Sequence, residues 1–416
     1  AVSSSQSPLS QFKYIFYAFA GLVAVAPLAM DTYLPAFPAI ADYLGVNIAT
    51  IQYTVVSFML GSTLGQFLGG PLSDSVGRLR IAFAGCVLFS IASLAIAATT
   101  DLQLMLIARA AQGFSAGAAG VVVSAIIAEN YQGKEAARTM STVTLVILGV
   151  PLLAPMIGTF LIKMGGWRYI FYFLAAYGAF VSIIVRLNTP KHRLRPASAE
   201  RRNLVTGTKT MFRNYRAVLA KPTGRSYLAA IGLNIAVYMV FATSASFAYM
   251  DYLGASLELF PFLLGANTIS LVIGNRLGVF LLRHHEPYKV CMIGSTVLAV
   301  FCVSLLITVT FFSPALYTVV GLIILIAGAI PVSGPIASSV FMQLYDKNAG
   351  TASAAMGVAR VLFGMIGGFI VTISHNGTLF PMAILMCLIS LAGMLFFFRG
   401  GTAVSRAQEL ISNRPG

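Results

Sequence analysis

Charge is scarce in this sequence. Only 9% of its 416 residues are Asp, Glu, Lys or Arg, where an ordinary soluble domain has roughly a quarter, and 58% are hydrophobic. That balance excludes a water-covered surface. Cysteine is also sparse: Cys86, Cys291, Cys302 and Cys387 each stand in an apolar run, without CxxC spacing and without neighbouring His or carboxylate. The pattern argues against a disulfide framework and a metal site, and predicts packed thiols.

What the chain has in abundance is long apolar runs. Runs of about 18 to 25 residues match the length needed to cross roughly 30 Å of hydrocarbon at 1.5 Å per residue. Divided at their Gly, Pro and charged breaks, they predict twelve spans, near 14–36, 50–70, 80–98, 103–127, 139–163, 167–187, 225–248, 259–282, 287–310, 315–338, 350–373 and 377–398. The first follows a short polar start without a small-residue cleavage site, and reads as a retained helix and not a signal peptide.

The net charge of +15 would point to nucleic acid in a soluble protein, so the placement of Lys and Arg decides its meaning. Outside the spans, only Lys163 and Arg168 lie beside the loops that follow odd-numbered spans. The remainder lie in or beside the N-terminus, the loops after even-numbered spans and the C-terminal tail. The positive-inside rule then puts both termini in the cytoplasm, and the basic balance reports orientation and contact with anionic lipid.

The longest polar stretch, 188–224, is rich in Lys and Arg and divides the chain into six-span halves at 1–187 and 225–416. Two such halves fit the parallel-repeat plan, with substrate bound between them near the midplane. No residue-level repeat is visible, so this symmetry rests on hydropathy. Within the linker, 204–219 reads either as an interfacial amphipathic helix or as a plain solvated segment. Glycines at four-residue spacing, Gly61, Gly65 and Gly69 on the second span and Gly364 and Gly368 on the eleventh, let two backbones approach closely. They serve helices that slide or helices that pack statically. Pro27, Pro151, Pro155, Pro331 and Pro335 lie inside spans and are expected to kink them.

Charges inside the bilayer cost several kcal/mol on insertion scales and persist when paired, hydrated or used. Within the predicted spans they are Asp31, Arg109, Arg360 and, nearer the cytoplasm, Arg276. Asp31 precedes the expected end of its span by about five residues and Arg109 follows the start of its own by about six, so both fall roughly 8–10 Å below the outer surface. At equal depth a salt bridge is possible. A conformational change or a substrate that alters their contact would release or capture a proton. The other reading is a structural pair that fixes helix packing. Arg360, near the centre of its span, reads either as a receptor for an anionic group or as a structural cation satisfied by carbonyls or water. Tyr33, Tyr53, Tyr238, Phe241 and Phe247 place rings where an amphipathic organic ligand could stack, or serve as packing. Gly113-Phe-Ser115-Ala-Gly117 matches the nucleophile pattern G-x-S-x-G, but that motif needs a strand-to-helix elbow and a base. Here it continues a membrane helix, and His375, the histidine nearest a span centre or outer end, is out of register. His284 and His285 fall in a predicted cytoplasmic loop.

The loop after the second span, Gly70-Pro-Leu-Ser-Asp74-Ser-Val-Gly77-Arg78-Leu-Arg80, resembles the signature loop of the major facilitator superfamily, with Ser75 and Leu79 where basic residues are usual. Arg109-Ala-Ala-Gln112-Gly113 resembles its fourth-helix motif, and Gly149-Val-Pro151-Leu-Leu-Ala-Pro155-Met-Ile-Gly158 the proline-glycine fifth-helix motif of antiporters. Asp31-Thr-Tyr33-Leu-Pro35-Ala-Phe-Pro38, with Gln66 and Gly166-Trp167-Arg168, is similar to the Bcr/CflA drug resistance branch. In the second half the match is confined to Gly350-Thr-Ala-Ser353-Ala.

The resemblance implies an all-α membrane protein with twelve transmembrane helices in two six-helix halves and cytoplasmic termini. It implies no enzyme, but a proton-coupled exporter of a small organic compound in the bacterial inner membrane, working by alternating access as a monomer. Asp31 would carry the coupling proton and Arg109 tune it. Tyr33, Tyr53, Gln112, Asn234, Tyr238, Phe241 and Arg360 form the candidate substrate set, Gly70, Asp74, Gly77 and Arg78 a conformational latch, and Pro151, Pro155 and Gly158 the helix-bending elements. The expected partners are a small-molecule substrate, protons and membrane lipid, with no nucleic acid, no metal and no cofactor beyond the proton gradient. The first helix lacks a second acid for lipophilic cations, and Arg360 adds positive charge where many relatives are neutral. Both departures favour a neutral or anionic substrate, so export of an anionic metabolite or carboxylate siderophore is the alternative, and a non-transporting membrane receptor the remote one.

Overall fold

The computed structural model describes residues 8–130, 133–187, 219–312, 315–345 and 349–412, and all regular structure among them is helical. The helices are α1 (Pro8–Asp31), α2 (Phe37–Leu44), α3 (Ile48–Val76), α4 (Arg78–Ala98), α5 (Leu102–Asn130), α6 (Gly133–Gly165), α7 (Arg168–Leu187), α8 (Pro222–Ser246), α9 (Phe260–Leu281), α10 (Pro287–Phe311), α11 (Leu316–Gln343), α12 (Ala349–Ile373) and α13 (Phe380–Ser412). Eleven helical stretches among the described residues are long and apolar enough to cross a membrane, and Gly149–Gly165, within α6, is a shorter apolar helix. Large apolar side chains such as Ile107, Phe160, Phe180, Phe262, Phe311 and Leu388 are exposed, which lipid and not water accommodates.

The first span departs from its expected 14–36. Helix α1 ends at Asp31, Thr32 and Tyr33 form a turn, Leu34–Ala36 makes a short 3₁₀ segment, and α2 carries the apolar run on to Leu44. Pro35 explains the break. In a continuous helix its N–H would donate to the Asp31 carbonyl, and a proline ring both lacks that donor and collides with the carbonyl four residues earlier. Gly45, at φ 64, closes α2 with its N–H on Asp42 and Ala41 oxygens. By contrast Pro27, Pro151, Pro155, Pro331 and Pro335 all stand inside helices that continue past them. The seventh span, expected to end at 248, runs on through a π-helical turn at Phe247–Tyr252.

The chain separates into two compact units, residues 1–45 with 57–207 and residues 46–56 with 208–416. Inside the first, α1 packs on α5, α6 and α7, and α4 packs on α5 and α7. Inside the second, α8 packs on α11, α12 and α13, and α10 packs on α11 and α13. The neighbour scheme is the same in both. Phe19, Cys86, Val122 and Val181 centre one core, and Tyr227, Cys291, Ile336 and Phe397 the other. All four cysteines are free and buried, as packed thiols should be.

A residue-level repeat appears once the partner carbonyls are known. Ser57 Oγ donates to the Leu106 oxygen at 2.6 Å, and Cβ atoms built on Gly61 and Gly65 would lie 1.9 and 2.0 Å from the oxygens of Ala110 and Phe114. In the second unit Ser270 Oγ donates to the Ile324 oxygen at 2.6 Å, and Cβ atoms on Gly274 and Gly278 would lie 1.8 and 2.6 Å from the oxygens of Gly328 and Val332. Serine, glycine and glycine at steps of four meet carbonyls at steps of four in both units. Gly113 and Gly117 return the contact from α5, against Phe58 and Ser62 oxygens at 2.0 and 2.3 Å. The glycine spacing on α3 therefore seats two backbones inside one unit, which is the static reading of that spacing.

Candidate functional site

The break after Asp31 and the register of α3 on α5 together enclose Arg109. Its side chain has no solvent exposure. Nη1 donates to Gln112 Oε1 at 2.6 Å and to the Ala29 oxygen, in the last turn of α1, at 3.3 Å. The guanidinium carbon lies 4.5 Å from the Tyr33 ring centroid and 4.6 Å from that of Phe58. Gln112 is oriented by its other end: Nε2 donates to Ser93 Oγ at 2.7 Å, and Ser93 Oγ donates to the Phe89 oxygen at 2.7 Å. Because Arg109 offers only donors, the Gln112 carbonyl must face it, and the relay to Ser93 keeps it there.

The Asp31–Arg109 salt bridge that equal depth makes possible is not formed. Asp31 is half-buried at the last residue of α1, while Nη1 of the guanidinium is satisfied by Gln112 and by the Ala29 oxygen near that helix's C-terminus, where the dipole favours a cation, and two aromatic rings lie beside the group. Arg109 Nε and Nη2 have no hydrogen-bond partner, nor do the buried hydroxyls of Thr32 and Thr159. Gly158 explains its own identity here, since a Cβ on it would lie 2.0 Å from the Thr32 oxygen. It is a close-approach residue that seats α6 against the break, whereas Pro151 and Pro155 lie within an uninterrupted α6.

Among the described residues, the second unit has no cation at the matching position of its own register. The repeat register pairs Leu106 with Ile324, which places Ala327 and Ile330 at the positions of Arg109 and Gln112. Asn234, buried, donates to Ser333 Oγ at 2.8 Å. Tyr238, Phe241, Tyr249 and Phe260 form a chain of ring contacts at 6.4, 5.6 and 6.3 Å, with Tyr238 the partly exposed end. Arg360 is partly buried and donates from Nη2 to Ser338 Oγ at 2.7 Å, a hydroxyl contact of the kind its structural reading requires. Arg276 is exposed, Tyr53 is partly buried, and Phe247 packs against His375 edge to face at 4.3 Å.

The G-x-S-x-G resemblance dissolves into packing. Gly113 and Gly117 admit α3, and Ser115 Oγ donates to the oxygens of Ala111 and Gln112 at 2.8 and 2.9 Å. In the candidate latch, Gly77 at φ 112 makes a one-residue link between α3 and α4, a conformation reserved for glycine. Arg78 Nη1 donates to Ser73 Oγ at 3.4 Å, and Gly70 has open space around it. The Asp74 side chain lies outside the described residues, as does the linker 188–218 with nearly all of the candidate helix at 204–219.

Phe58, Ser93, Thr32 and Thr159 were not singled out from the sequence. For Phe58 a signal existed, because four-residue glycine spacing on both α3 and α5 brings Phe58 to Gly113, one turn from Arg109. For Ser93 there was none.

Apolar helices long enough to span a bilayer, lipid-compatible surfaces and a cation kept inside a helix bundle define a multi-pass membrane protein. The Major Facilitator Superfamily model matches residues 19–370. The chain belongs to that superfamily. Among its relatives are an uncharacterized MFS-type transporter, YdgK, of Bacillus subtilis (28% identical, covering 91% of this chain and 93% of the relative) and the bicyclomycin resistance protein homolog of Haemophilus influenzae (25%, 90% and 92%). Multidrug resistance protein D of Escherichia coli is 33% identical over 46% of this chain and 48% of its own. These names agree with the Bcr/CflA resemblance. A crystal structure of a D-xylose-proton symporter shares the fold at TM-score 0.66 and 15% identity, covering 91% of this chain and 97% of the symporter.

Proposed function

We propose that this chain is an efflux transporter that exchanges a small organic compound for protons across the bacterial inner membrane. The observation that carries this reading is a fully buried Arg109 with two unpaired donors, held against the Ala29 oxygen and the Tyr33 ring on either side of the helix break where the half-buried Asp31 ends α1. A buried cation without a carboxylate is costly. An ionised Asp31 lowers that cost by turning toward Arg109, and a protonated Asp31 does not. Proton binding thereby biases the α1 break between two arrangements, the minimum that coupling requires. One charge crossing 100 mV contributes about 2.3 kcal/mol, enough to drive substantial accumulation.

The names of the bicyclomycin and multidrug resistance relatives support a drug-like organic substrate and a transporter in place of an enzyme. In this reading twelve helices cross the membrane with both termini cytoplasmic, the halves 1–187 and 225–416 joined by the basic linker 188–224 work by alternating access, and the protein acts as a monomer without cofactor. Tyr33, Tyr53, Gln112, Asn234, Tyr238, Phe241 and Arg360 contact substrate, and Gly70, Asp74, Gly77 and Arg78 form the latch. The test is proteoliposomes with a trapped pH dye, scanned with anionic, neutral and cationic compounds. Substrate-triggered proton movement is expected, and its absence for every compound, despite specific binding of one of them, would make the chain a receptor.

A further inference from the structure

The two unpaired donors on Arg109 are not an arbitrary pair. Nε–H and the Nη2–H parallel to it form the side edge of the guanidinium, the fork whose spacing matches the two oxygens of a carboxylate. Nη1 is engaged with the Ala29 oxygen and Gln112, and the rings of Tyr33 and Phe58 lie 4.5 and 4.6 Å from the guanidinium carbon. The Gln112–Ser93–Phe89 relay keeps the guanidinium from rotating to present a different edge. Fixed, cationic and fully buried, the fork is preorganised for one chemistry.

We infer that the Nε–Nη2 edge of Arg109 is the receptor for a carboxylate of the transported compound, filled when Asp31 is protonated. This rests on the reading of the α1 break as the transport site, and names the substrate class for it. In this proposal the same fork also receives the carboxylate of Asp31, which stands two residues from Ala29 and two from Tyr33, both in contact with the guanidinium, so the two are rivals: ionised Asp31 excludes the ligand, and protonated Asp31 yields the edge to it. Among the described residues that touch Arg109 or its relay, α1 brings the Ala29 oxygen, α3 Phe58, α4 Ser93 and α5 Gln112, none of them a carboxylate or a cation, and the turn after α1 brings the Tyr33 ring. Both donors are buried in this conformation, so entry requires the surrounding side chains to move, Tyr33 and Phe58 being the rings in contact with the guanidinium. Tyr33 sits in the turn between α1 and the 3₁₀ segment, outside regular helix, where backbone rotation is least constrained.

The chain carries its own reporter. Trp167 is its one tryptophan, and ring contacts run from Trp167 to Phe171 at 5.9 Å, from Phe171 to Tyr33 at 5.5 Å, and from Tyr33 to Arg109. Titration of purified full-length protein in detergent at mildly acid pH, with benzoate and its uncharged isostere benzamide, reads out as Trp167 fluorescence and apparent melting temperature. Saturable binding of benzoate and at least about tenfold weaker binding of benzamide are expected, because a charge-assisted fork is worth about 1.4 kcal/mol or more over a neutral contact. Arg109→Lys, which keeps the charge and loses the fork, should weaken benzoate about tenfold. Asp31→Asn, which removes the internal rival, should tighten it and carry binding to neutral pH.

Equal binding of benzamide, full affinity in Arg109→Lys, or loss of binding in Arg360→Ala but not in Arg109→Lys would overturn the assignment. Where Arg109→Lys does not fold, Asp31→Asn decides: unchanged affinity and pH dependence there also overturn it. Proton coupling is measured separately, so substrate-driven proton flux without carboxylate binding sinks this inference and leaves the transport reading standing.

Discussion

Replacing Gly61 by alanine should separate α3 from α5. The new Cβ would lie 1.9 Å from the Ala110 oxygen, 2.8 Å from its carbonyl carbon and 2.9 Å from the Phe114 nitrogen, where ordinary contact begins at 3.4 Å. The helices must part by about 1.5 Å, the difference between 3.4 and 1.9 Å, because the opposing atom is backbone carbonyl and cannot rotate aside. Overpacking of this kind costs about 3 kcal/mol, which for a unit of this size lowers the apparent melting temperature by roughly 5–10 °C. Gly113→Ala, whose Cβ would meet the Phe58 oxygen at 2.0 Å, strains the same interface from α5, and Gly120→Ala on that helix meets nothing within 4 Å. One separation accommodates both new methyls, so the Gly61→Ala/Gly113→Ala double variant should cost less than the sum of its singles. Detergent-solubilised protein, heated and scored by size-exclusion chromatography, provides the assay. Equal melting temperatures for Gly61→Ala and Gly120→Ala would refute the reasoning.

Ser93→Ala removes the acceptor that orients Gln112, and Gln112→Leu removes the partner of a buried Arg109 donor at about 1–3 kcal/mol. Both should displace the pH at which substrate-driven proton release is half-maximal, while lower thermal stability with an unmoved pH profile would mark Gln112 as structural alone. Outside the membrane, burial holds His375 below its ordinary value of 6.5, with Asp251 pulling it the other way. Folding thus favours neutral His375, so its contribution is complete above that value and is lost as pH falls toward the depressed one. His375→Gln should flatten the loss of thermal stability below about pH 6.5 and Asp251→Asn should steepen it. Superimposable pH profiles for the three proteins would contradict the account.

Hydropathy made the helical content and nearly every span legible, because a bilayer admits few backbone solutions. The glycine spacing on α3 was legible as close approach, but not its partner, since the carbonyls it meets carry no side-chain signature. For the same reason the repeat of Ser57, Gly61 and Gly65 in Ser270, Gly274 and Gly278 became visible only with the register of α5 and α11 in hand. Span 14–36 went wrong at Pro35 and Pro38. Prolines read as an end were a break in an apolar run that continues to Leu44. Equal depth for Asp31 and Arg109 made a salt bridge possible, and the structure does not form it, because a backbone carbonyl, Gln112 and aromatic faces compete for the guanidinium and none of them is visible to charge matching. Ser93 was illegible altogether: its importance comes from one hydrogen bond to Gln112 across two helices.

The central claim is that Asp31 carries the coupling proton, and the most direct measurement compares wild type with Asp31→Asn in proteoliposomes holding a trapped pH dye and labelled substrate. The account predicts that Asp31→Asn loses substrate-driven proton movement and pH-driven accumulation while still exchanging substrate for substrate across the membrane. Undiminished proton movement in that variant would contradict it.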